Sequence, residues 1–248
     1  MNLLVIHLVQ SCNLDCYYCP MKKWMKPLDF VFPEDGAYPG ETAGAKFNSL
    51  TNDTLLKWLD TYCPPKEWLL HLTGGEPGLY PEINSLIPAL SSRGYRGVIT
   101  TNGTLPIPKD DNFIRVAAWH ECVHNLPPYH DIVLILEQNP NDDTDRKKQY
   151  CTDHGIPFYA SLWVPFHDKN RQPTPQWVFS DSQLDNLCFM YSMGQIVGCP
   201  KIPVTADLSI HKMTPPAPIP LKPNCPRCVH AAVAERFMPQ EWLQGGSI

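Results

Sequence analysis

The chain has 248 residues, of which 43% are hydrophobic and 18% charged, and its formal net charge is −5. This length can bury the core of one large domain, or of one domain with an appendage. The sequence has no apolar run long enough to span a membrane and no signal-peptide pattern, so we expect a cytoplasmic protein without a membrane partner. The acidic balance disfavours nucleic acid as a partner, because phosphate binding requires a basic surface.

The first element is a β-rich apolar run over residues 3–9, which predicts a buried parallel strand. It leads into three cysteines with Cys-x3-Cys-x2-Cys spacing, namely Cys12, Cys16 and Cys19. A reducing compartment keeps such thiols available as metal ligands. A closed zinc site or an ordinary iron–sulfur cluster takes four protein ligands, so three leave one metal position for a ligand that is not protein. Chance spacing and a partial zinc knuckle are the alternatives.

Residues 21–47 contain three prolines and three glycines without helical periodicity. This composition predicts a long loop, which acts either as a lid over the cysteine loop or as a surface insertion without a role. A helix is expected to begin near Thr51 or Asp53 and to end before Pro64. A second strand is expected over residues 68–72.

The sequence Thr-Gly-Gly-Glu-Pro follows this second strand at once, over residues 73–77. Two glycines at a strand end let the backbone approach a ligand closely and expose its amide and carbonyl groups. The carboxylate of Glu76 beside them can pair with an ammonium group. Gly-Gly alone is a weak turn signal, so this motif gains its meaning from its position after a strand.

Strand and helix patterns continue to alternate along the chain. We expect a helix over residues 81–93, a strand over 97–101 that ends in Thr-Asn-Gly, a strand over 131–137, a helix-like segment over 141–154 and a strand over 156–163. This alternation predicts a parallel sheet with right-handed crossovers. Residues 115–130 fit the pattern poorly; Trp119, His120 and His124 there either face a substrate or are ordinary core and surface residues.

Taken together, the three motifs resemble those of the radical S-adenosylmethionine (radical SAM) enzymes. Tyr18 also fits, since that family favours an aromatic residue before the third cysteine. The resemblance implies that Cys12, Cys16 and Cys19 hold a [4Fe-4S] cluster. It further implies a SAM site formed by Gly74, Gly75, Glu76, Asn102 and Tyr18. The implied fold class is α/β, a partial (β/α)6 TIM-like barrel over residues 1–165 with a small C-terminal cysteine-rich extension over residues 166–248.

Four cysteines lie in the Pro-rich extension: Cys188, Cys199, Cys225 and Cys228. A Cys-x2-Cys pair with two separated cysteines can close around zinc or supply the thiolates of a second [4Fe-4S] cluster, and the spacing does not choose between them. The pattern resembles a twitch or SPASM-like extension, which implies an auxiliary [4Fe-4S] cluster. The proline-crowded gap before Cys225 departs from the hairpin and helix usual there. The other cysteines, Cys63, Cys122 and Cys151, are expected to be small core residues.

The resemblance implies a reaction as well as a cofactor. Reductive cleavage of SAM would give a 5′-deoxyadenosyl radical that abstracts a hydrogen atom from a substrate. With an auxiliary cluster to accept an electron, the expected reaction is oxidation or crosslinking of a peptide. The alternatives are oxidation of a small molecule, such as a sugar alcohol or a nucleoside, and a cluster-bearing scaffold without catalysis. A reductant such as flavodoxin or ferredoxin is the implied partner. No histidine, lysine or tyrosine stands in a recognisable acid–base motif.

Overall fold

The computed structural model describes residues 2–9, 12–14, 16, 51–137, 142–162, 188–192, 195–197 and 236–244. The strands in these ranges are β1 (Asn2–Val9), β2 (Trp68–Gly74), β3 (Gly97–Thr101), β4 (Phe113–Ala118), β5 (Ile132–Glu137), β6 (Phe158–Leu162), β7 (Cys188–Ser192) and β8 (Gln195–Val197). The helices are α1 (Asn52–Tyr62), α2 (Ile83–Ser92), α3 (Thr144–Asp153) and the short α4 (Gln240–Leu243), and a 3-10 turn spans Pro77–Leu79.

In the part of the chain that the structure describes, these strands form one sheet in the order β6-β5-β4-β3-β2-β1-β7-β8. Strands β1 to β7 pair in parallel, and only β8 runs antiparallel to its neighbour β7. The expected α/β class with a mostly parallel, open sheet is confirmed. The boundary near residue 165 and the cysteine-rich extension stay predictions.

Helices α1 and α2 cover one face of the sheet. Their buried positions recur at helical spacing: Leu55, Leu56 and Leu59 on α1, and Ile83, Leu86, Ile87 and Leu90 on α2. They pack against side chains of alternate positions on the strands, among them Leu4 and Ile6 of β1 and Leu70 of β2. Both predicted helices are therefore present, and a period of 3.6 residues places these buried positions on one side of each.

A segment near the end of the chain covers the other face of the sheet. Phe237, Met238, Trp242 and Leu243 pack with the intervening strand positions, including Leu3 and Val5 of β1 and Leu69 of β2. These strand residues lie toward the N-terminal ends of their strands, so the segment fills that half of the face. None of the described helices is long and apolar enough to cross a membrane.

Strand β4 is an element that the sequence did not predict. It carries Arg115 in its centre, and an arginine inside a short apolar run argues against a buried strand. In the structure the guanidinium donates to both carboxylate oxygens of Asp131, with Nη2 to Oδ1 at 2.9 Å and Nε to Oδ2 at 3.0 Å. It also donates to the carbonyl of Ile107 at 3.0 Å. The charge is thus fully engaged, which lets a short strand bury it.

Candidate functional site

The three sequence motifs meet at one edge of the sheet. The cysteine loop follows β1, the Gly-Gly-Glu-Pro motif closes β2, and Thr-Asn-Gly closes β3. Because β1, β2 and β3 are parallel neighbours, their C-terminal ends lie side by side. The backbone joins them directly, since the Gly75 amide donates to the Val9 carbonyl at 2.8 Å. In an α/β sheet this edge is where binding sites form.

Gly74 shows why the motif begins with glycine. Its φ is +135°, and a Cβ added there would lie 2.3 Å from the carbonyl oxygen of Val9. A side chain at this position would both strain the backbone and collide with β1. The end of β2 can therefore approach the root of the cysteine loop only if this residue is glycine.

Glu76 is fully buried and joins the second motif to the third. Its Oε1 accepts from the Gly78 amide at 2.8 Å and from the Thr101 hydroxyl at 2.6 Å. Its Oε2 accepts from the Asn102 amide at 2.7 Å. Burial raises the pKa of Glu76, and the three hydrogen bonds oppose that rise by stabilising the carboxylate. The carboxylate therefore fixes the end of β2 against the end of β3.

Asn102 in turn holds the cysteine loop. Its Nδ2 donates to Oδ1 of Asn13 at 2.8 Å and lies 3.7 Å from Sγ of Cys12. Its Oδ1 accepts from the Thr104 amide at 3.0 Å and from the Thr104 hydroxyl at 2.7 Å. The same hydroxyl accepts from Nδ2 of Asn13 at 2.9 Å. Asn13 and Thr104, which sequence reasoning missed, thus complete a network that positions Cys12.

The two described cysteines of the loop differ in exposure. Cys16 is buried, and Cys12 is half-buried with its Sγ accepting from the Leu14 amide at 3.4 Å. Burial raises the pKa of Cys12; the Leu14 amide lowers it, the charge of Glu76 raises it further and Asn102 lowers it. A bound metal cation would reverse this balance by stabilising the thiolate. Sulfur donors at a half-buried sheet edge suit the ligand set of an iron–sulfur cluster.

Cys122 joins this group from the loop after β4. Its Sγ lies 3.6 Å from Sγ of Cys16, and its side chain is exposed. The expectation that Cys122 is a core residue is therefore wrong, whereas Cys63 and Cys151 are buried as expected. Sequence reasoning missed this contact because it depends on β4: Cys122 follows the end of that strand by four positions and so lies at the same edge as the cysteine loop.

Lys147 of α3 anchors this β4 loop. Its Nζ donates to the carbonyls of Trp119 at 2.8 Å and His120 at 3.1 Å, and to Oδ2 of Asp142 at 2.6 Å. The Trp119 ring is buried in the core, and His124 is exposed. Burial lowers the pKa of His120 to about 4, and the charge of Lys147 acts in the same direction. The loop that carries Cys122 is thus held from inside the fold.

A polar pair also lies within the sheet below this edge. His71 of β2 is buried, and its Nε2 lies 2.8 Å from the hydroxyl of Thr100 on β3. Sequence reasoning treated His71 only as part of a strand. Because side chains alternate along a strand, His71 lies on the same face of β2 as Thr73, which is two residues nearer the site.

Several predicted residues lie outside the described part of the chain: Tyr18, Cys19, Cys199, Cys225, Cys228 and the expected lid over residues 21–47. Gly74, Gly75, Glu76 and Asn102 lie at the edge as set out above. Cys188 begins β7, and its backbone pairs with Leu3 at the start of β1. The six residue steps from Leu3 to Val9 span about 20 Å, so the Cys188 backbone lies toward the opposite edge of the sheet.

Comparison with known proteins gives a family match over part of the chain. Residues 6–118 match the family described as "Radical SAM superfamily". The AdoMet-dependent heme synthase of Nitratidesulfovibrio vulgaris is 26% identical over 121 residues, which is 49% of this chain and 28% of that protein. The enzyme of the same name from Oleidesulfovibrio alaskensis is 27% identical over 121 residues, 49% of this chain and 26% of that protein. The chain therefore matches about a quarter of the length of these curated relatives.

Two solved structures are also similar. Streptococcus suis SuiB bound to S-adenosylmethionine has 14% identity and a TM-score of 0.45, with 85% of this chain and 62% of that chain covered. QueE from Escherichia coli has 15% identity and a TM-score of 0.36, with 62% of this chain and 83% of that chain covered. The match over residues 6–118 spans β1 to β4 and so includes all three motifs of the sheet edge. A radical SAM domain implies an iron–sulfur cluster and SAM as ligands.

Proposed function

We propose that this chain, which carries a radical SAM domain over residues 6–118, is an enzyme that reductively cleaves SAM to a 5′-deoxyadenosyl radical and abstracts a hydrogen atom from a peptide substrate. The observation that carries the proposal is the convergence of Cys12, Cys16, Asn102 and Glu76 at the C-terminal edge of β1 to β3. One hydrogen-bonded network connects Glu76, Asn102 and Cys12, and Cys16 lies on the same loop as Cys12.

The cluster ligands in this proposal are Cys12, Cys16 and Cys19, and two of them are described at the edge. Asn102 holds the ligand loop through Asn13, which keeps Cys12 in place before any metal binds. Such support of metal ligands by neighbouring polar groups tunes both affinity and geometry. The expected advantage is that the cluster enters a loop that is already ordered at its first ligand.

The SAM contacts proposed for Gly74, Gly75, Glu76, Asn102 and Tyr18 divide into two kinds. Gly74 and Gly75 bring backbone polar groups to the edge, where they can bind the amino and carboxylate groups of a ligand. Glu76 already accepts three hydrogen bonds from the protein and is fully buried. We therefore assign Glu76 mainly a positioning role, in which it sets the backbone that binds the ammonium group.

The proposed substrate class depends on which electron acceptor the reaction uses. Oxidation or crosslinking of a peptide requires an electron acceptor, which an auxiliary [4Fe-4S] cluster on Cys188, Cys199, Cys225 and Cys228 would supply. Two curated relatives are named for the synthesis of heme, a small molecule, and this supports oxidation of a small molecule as the second candidate. A reductant such as flavodoxin or ferredoxin and a reducing cytoplasm complete the proposal, since exposed thiols such as Cys122 persist there.

The first experiment measures iron, sulfide and Mössbauer spectra of protein reconstituted without oxygen. Wild-type protein is compared with a variant in which Cys12, Cys16 and Cys19 are all alanine. The proposal predicts roughly eight irons falling to about four, which is the ligand count of two clusters and then one. Cys63→Ala is the matched control, because this buried thiol lies at the end of α1, away from the edge, and its loss should leave iron unchanged.

The same samples test catalysis and substrate class. Reduced wild-type protein should convert SAM to methionine and 5′-deoxyadenosine, and the triple alanine variant should not. Cell extract that stimulates 5′-deoxyadenosine formation should lose this effect after protease treatment if the substrate is a peptide, and keep it if the substrate is a small molecule. Four irons falling to none would refute the auxiliary cluster, and iron without any 5′-deoxyadenosine would refute the enzyme.

A further inference from the structure

We propose that Cys16, Glu121 and Cys122 form a separate mononuclear site for a thiophilic divalent cation, such as Zn²⁺, in the protein without its cluster. One ligand atom of each residue lies within 4.8 Å of the others. Two sulfurs and one carboxylate oxygen are a ligand set that zinc accepts, with water in the fourth position. Neither the sequence motifs nor the family match assigns Glu121 or Cys122 to a site.

The spacing of the two sulfurs supports a single metal ion. A tetrahedral ion with metal–sulfur bonds of about 2.3 Å separates two thiolate sulfurs by about 3.8 Å. The Sγ atoms of Cys16 and Cys122 are 3.6 Å apart. The pair therefore needs only a small adjustment to bind one ion between them, although the two residues lie 106 positions apart in the chain.

The three residues differ in exposure, and this gives an ion a route from solvent into the site. Cys16 is buried, Glu121 is half-buried and Cys122 is exposed. An ion arriving from solvent therefore meets the Cys122 thiol first and then the carboxylate before it reaches Cys16. The open position of the ion would face solvent, where water can complete the coordination.

The β4 loop that supplies two of the three ligands is already fixed. Lys147 donates to two consecutive carbonyls of this loop, those of Trp119 and His120, and is itself buried. The Trp119 indole donates to the Val123 carbonyl at 2.8 Å, which closes the loop on the other side of Cys122. Ligands held in this way lose little freedom on binding, so metal affinity benefits from the order of the loop.

Sharing Cys16 has a consequence that depends on the proposed cluster function. One thiolate cannot complete both a mononuclear site and the cluster site, so the two metals should exclude each other. The cation would occupy the cluster-free protein and would have to leave before a cluster is assembled. Cys122 would then be required for binding of the cation but not for the cluster.

The test is a cobalt titration of cluster-free protein without oxygen, because Co²⁺ bound to thiolates gives a charge-transfer absorption. Wild-type protein is compared with Cys122→Ser, Glu121→Gln and the control Cys63→Ser. Apart from the buried Cys63 that the control removes, the cysteines elsewhere are the same in all four proteins, so a difference seen only in Cys122→Ser and Glu121→Gln reports this site. We expect Cys122→Ser to lose one equivalent of tight cobalt, Glu121→Gln to bind it about tenfold more weakly, and the control to match wild type. Zn²⁺ should displace the cobalt.

Equal cobalt stoichiometry in wild type and Cys122→Ser would overturn the site. Reconstituted Cys122→Ser should load as much iron as wild type, which also shows that it folds. Reduced iron loading in Cys122→Ser would instead place Cys122 among the cluster ligands and overturn a separate site. Cobalt bound equally by cluster-loaded and cluster-free protein would refute the sharing of Cys16. The comparison of wild type with Cys122→Ser uses protein without a cluster, so its result stands apart from that of the proposed enzyme function.

Discussion

Replacing Glu76 by glutamine tests whether this carboxylate acts on the protein or on a ligand. Glutamine keeps one acceptor oxygen, which we expect to remain on the side of Gly78 and Thr101, where two donors converge. Its amide nitrogen would then face the Asn102 amide, which loses its acceptor at 2.7 Å. A buried donor without an acceptor costs about 1–3 kcal/mol.

Part of that cost is offset. Burial raises the pKa of Glu76, so the ionised carboxylate is disfavoured by its surroundings, and the neutral amide relieves this. We expect the Glu76→Gln substitution to lower the free energy of unfolding by about 1–2 kcal/mol, which is the lower part of the range for the lost hydrogen bond. The assay is urea unfolding of cluster-free protein followed by tryptophan fluorescence. The matched control is Glu67→Gln, the same change at an exposed position just before β2.

The outcome separates two roles. A positioning role predicts that Glu76→Gln destabilises the ligand-free protein while Glu67→Gln does not. A direct role on the SAM ammonium predicts unchanged unfolding and weaker SAM binding by the cluster-loaded protein. If both variants unfold like wild type and only SAM binding falls, the reasoning from the three hydrogen bonds is refuted.

Three further predictions concern the elements that support the site. Lys147→Met should lower the free energy of unfolding by about 3–5 kcal/mol, because it leaves a buried carboxylate without its cation; urea unfolding checks this, and a loss under 1 kcal/mol would contradict it. For Asp131, burial would raise the pKa, but the hydrogen bonds and charge of Arg115 outweigh this and lower it. The Asp131 carboxyl therefore binds its proton less tightly in the folded protein than in the unfolded chain. The stabilisation by the ionised Asp131 carboxylate is complete above about pH 4 and is lost as the pH falls below that. Unfolding measured from pH 7 to pH 3 should show a smaller acid loss in Asp131→Asn than in wild type, and parallel curves would exclude this role. Trp242→Ala should cost about 3–5 kcal/mol in urea unfolding, since the indole packs into the core; an unchanged midpoint would show that the C-terminal segment does not contribute.

Sequence reasoning succeeded where the local pattern was complete. Strands β1, β2 and β3 consist mostly of apolar and β-branched residues, and glycines mark the ends of the second and third, so a short window contains the whole signal. Helices α1 and α2 have both a periodic apolar face and a clear end. The site motifs were found for the same reason, because each is short and directly follows its strand.

It failed where the signal depends on a distant residue. Strand β4 is interrupted by Arg115, and only Asp131, 16 positions later, explains how that charge is buried. The order of β4 in the sheet is also what brings Cys122 to Cys16. Without β4, Cys122 could only be treated as an isolated thiol. Strand β7 pairs with β1, far earlier in the chain, and β8 pairs with β7; neither strand left a recognised pattern in the sequence.

The packing of Phe237, Met238, Trp242 and Leu243 onto β1 and β2 bears on how the protein is made. During synthesis the chain emerges from its N-terminus, so β1 and β2 leave the ribosome long before the segment that covers them. Their apolar face on that side would remain exposed to solvent and to other chains until residues 236–244 have also emerged. Contacts of such long sequence separation also form slowly. Binding of chaperones to the nascent chain, and a sharp rise in aggregation when residues 236–244 are removed, are the expected signs of this delay.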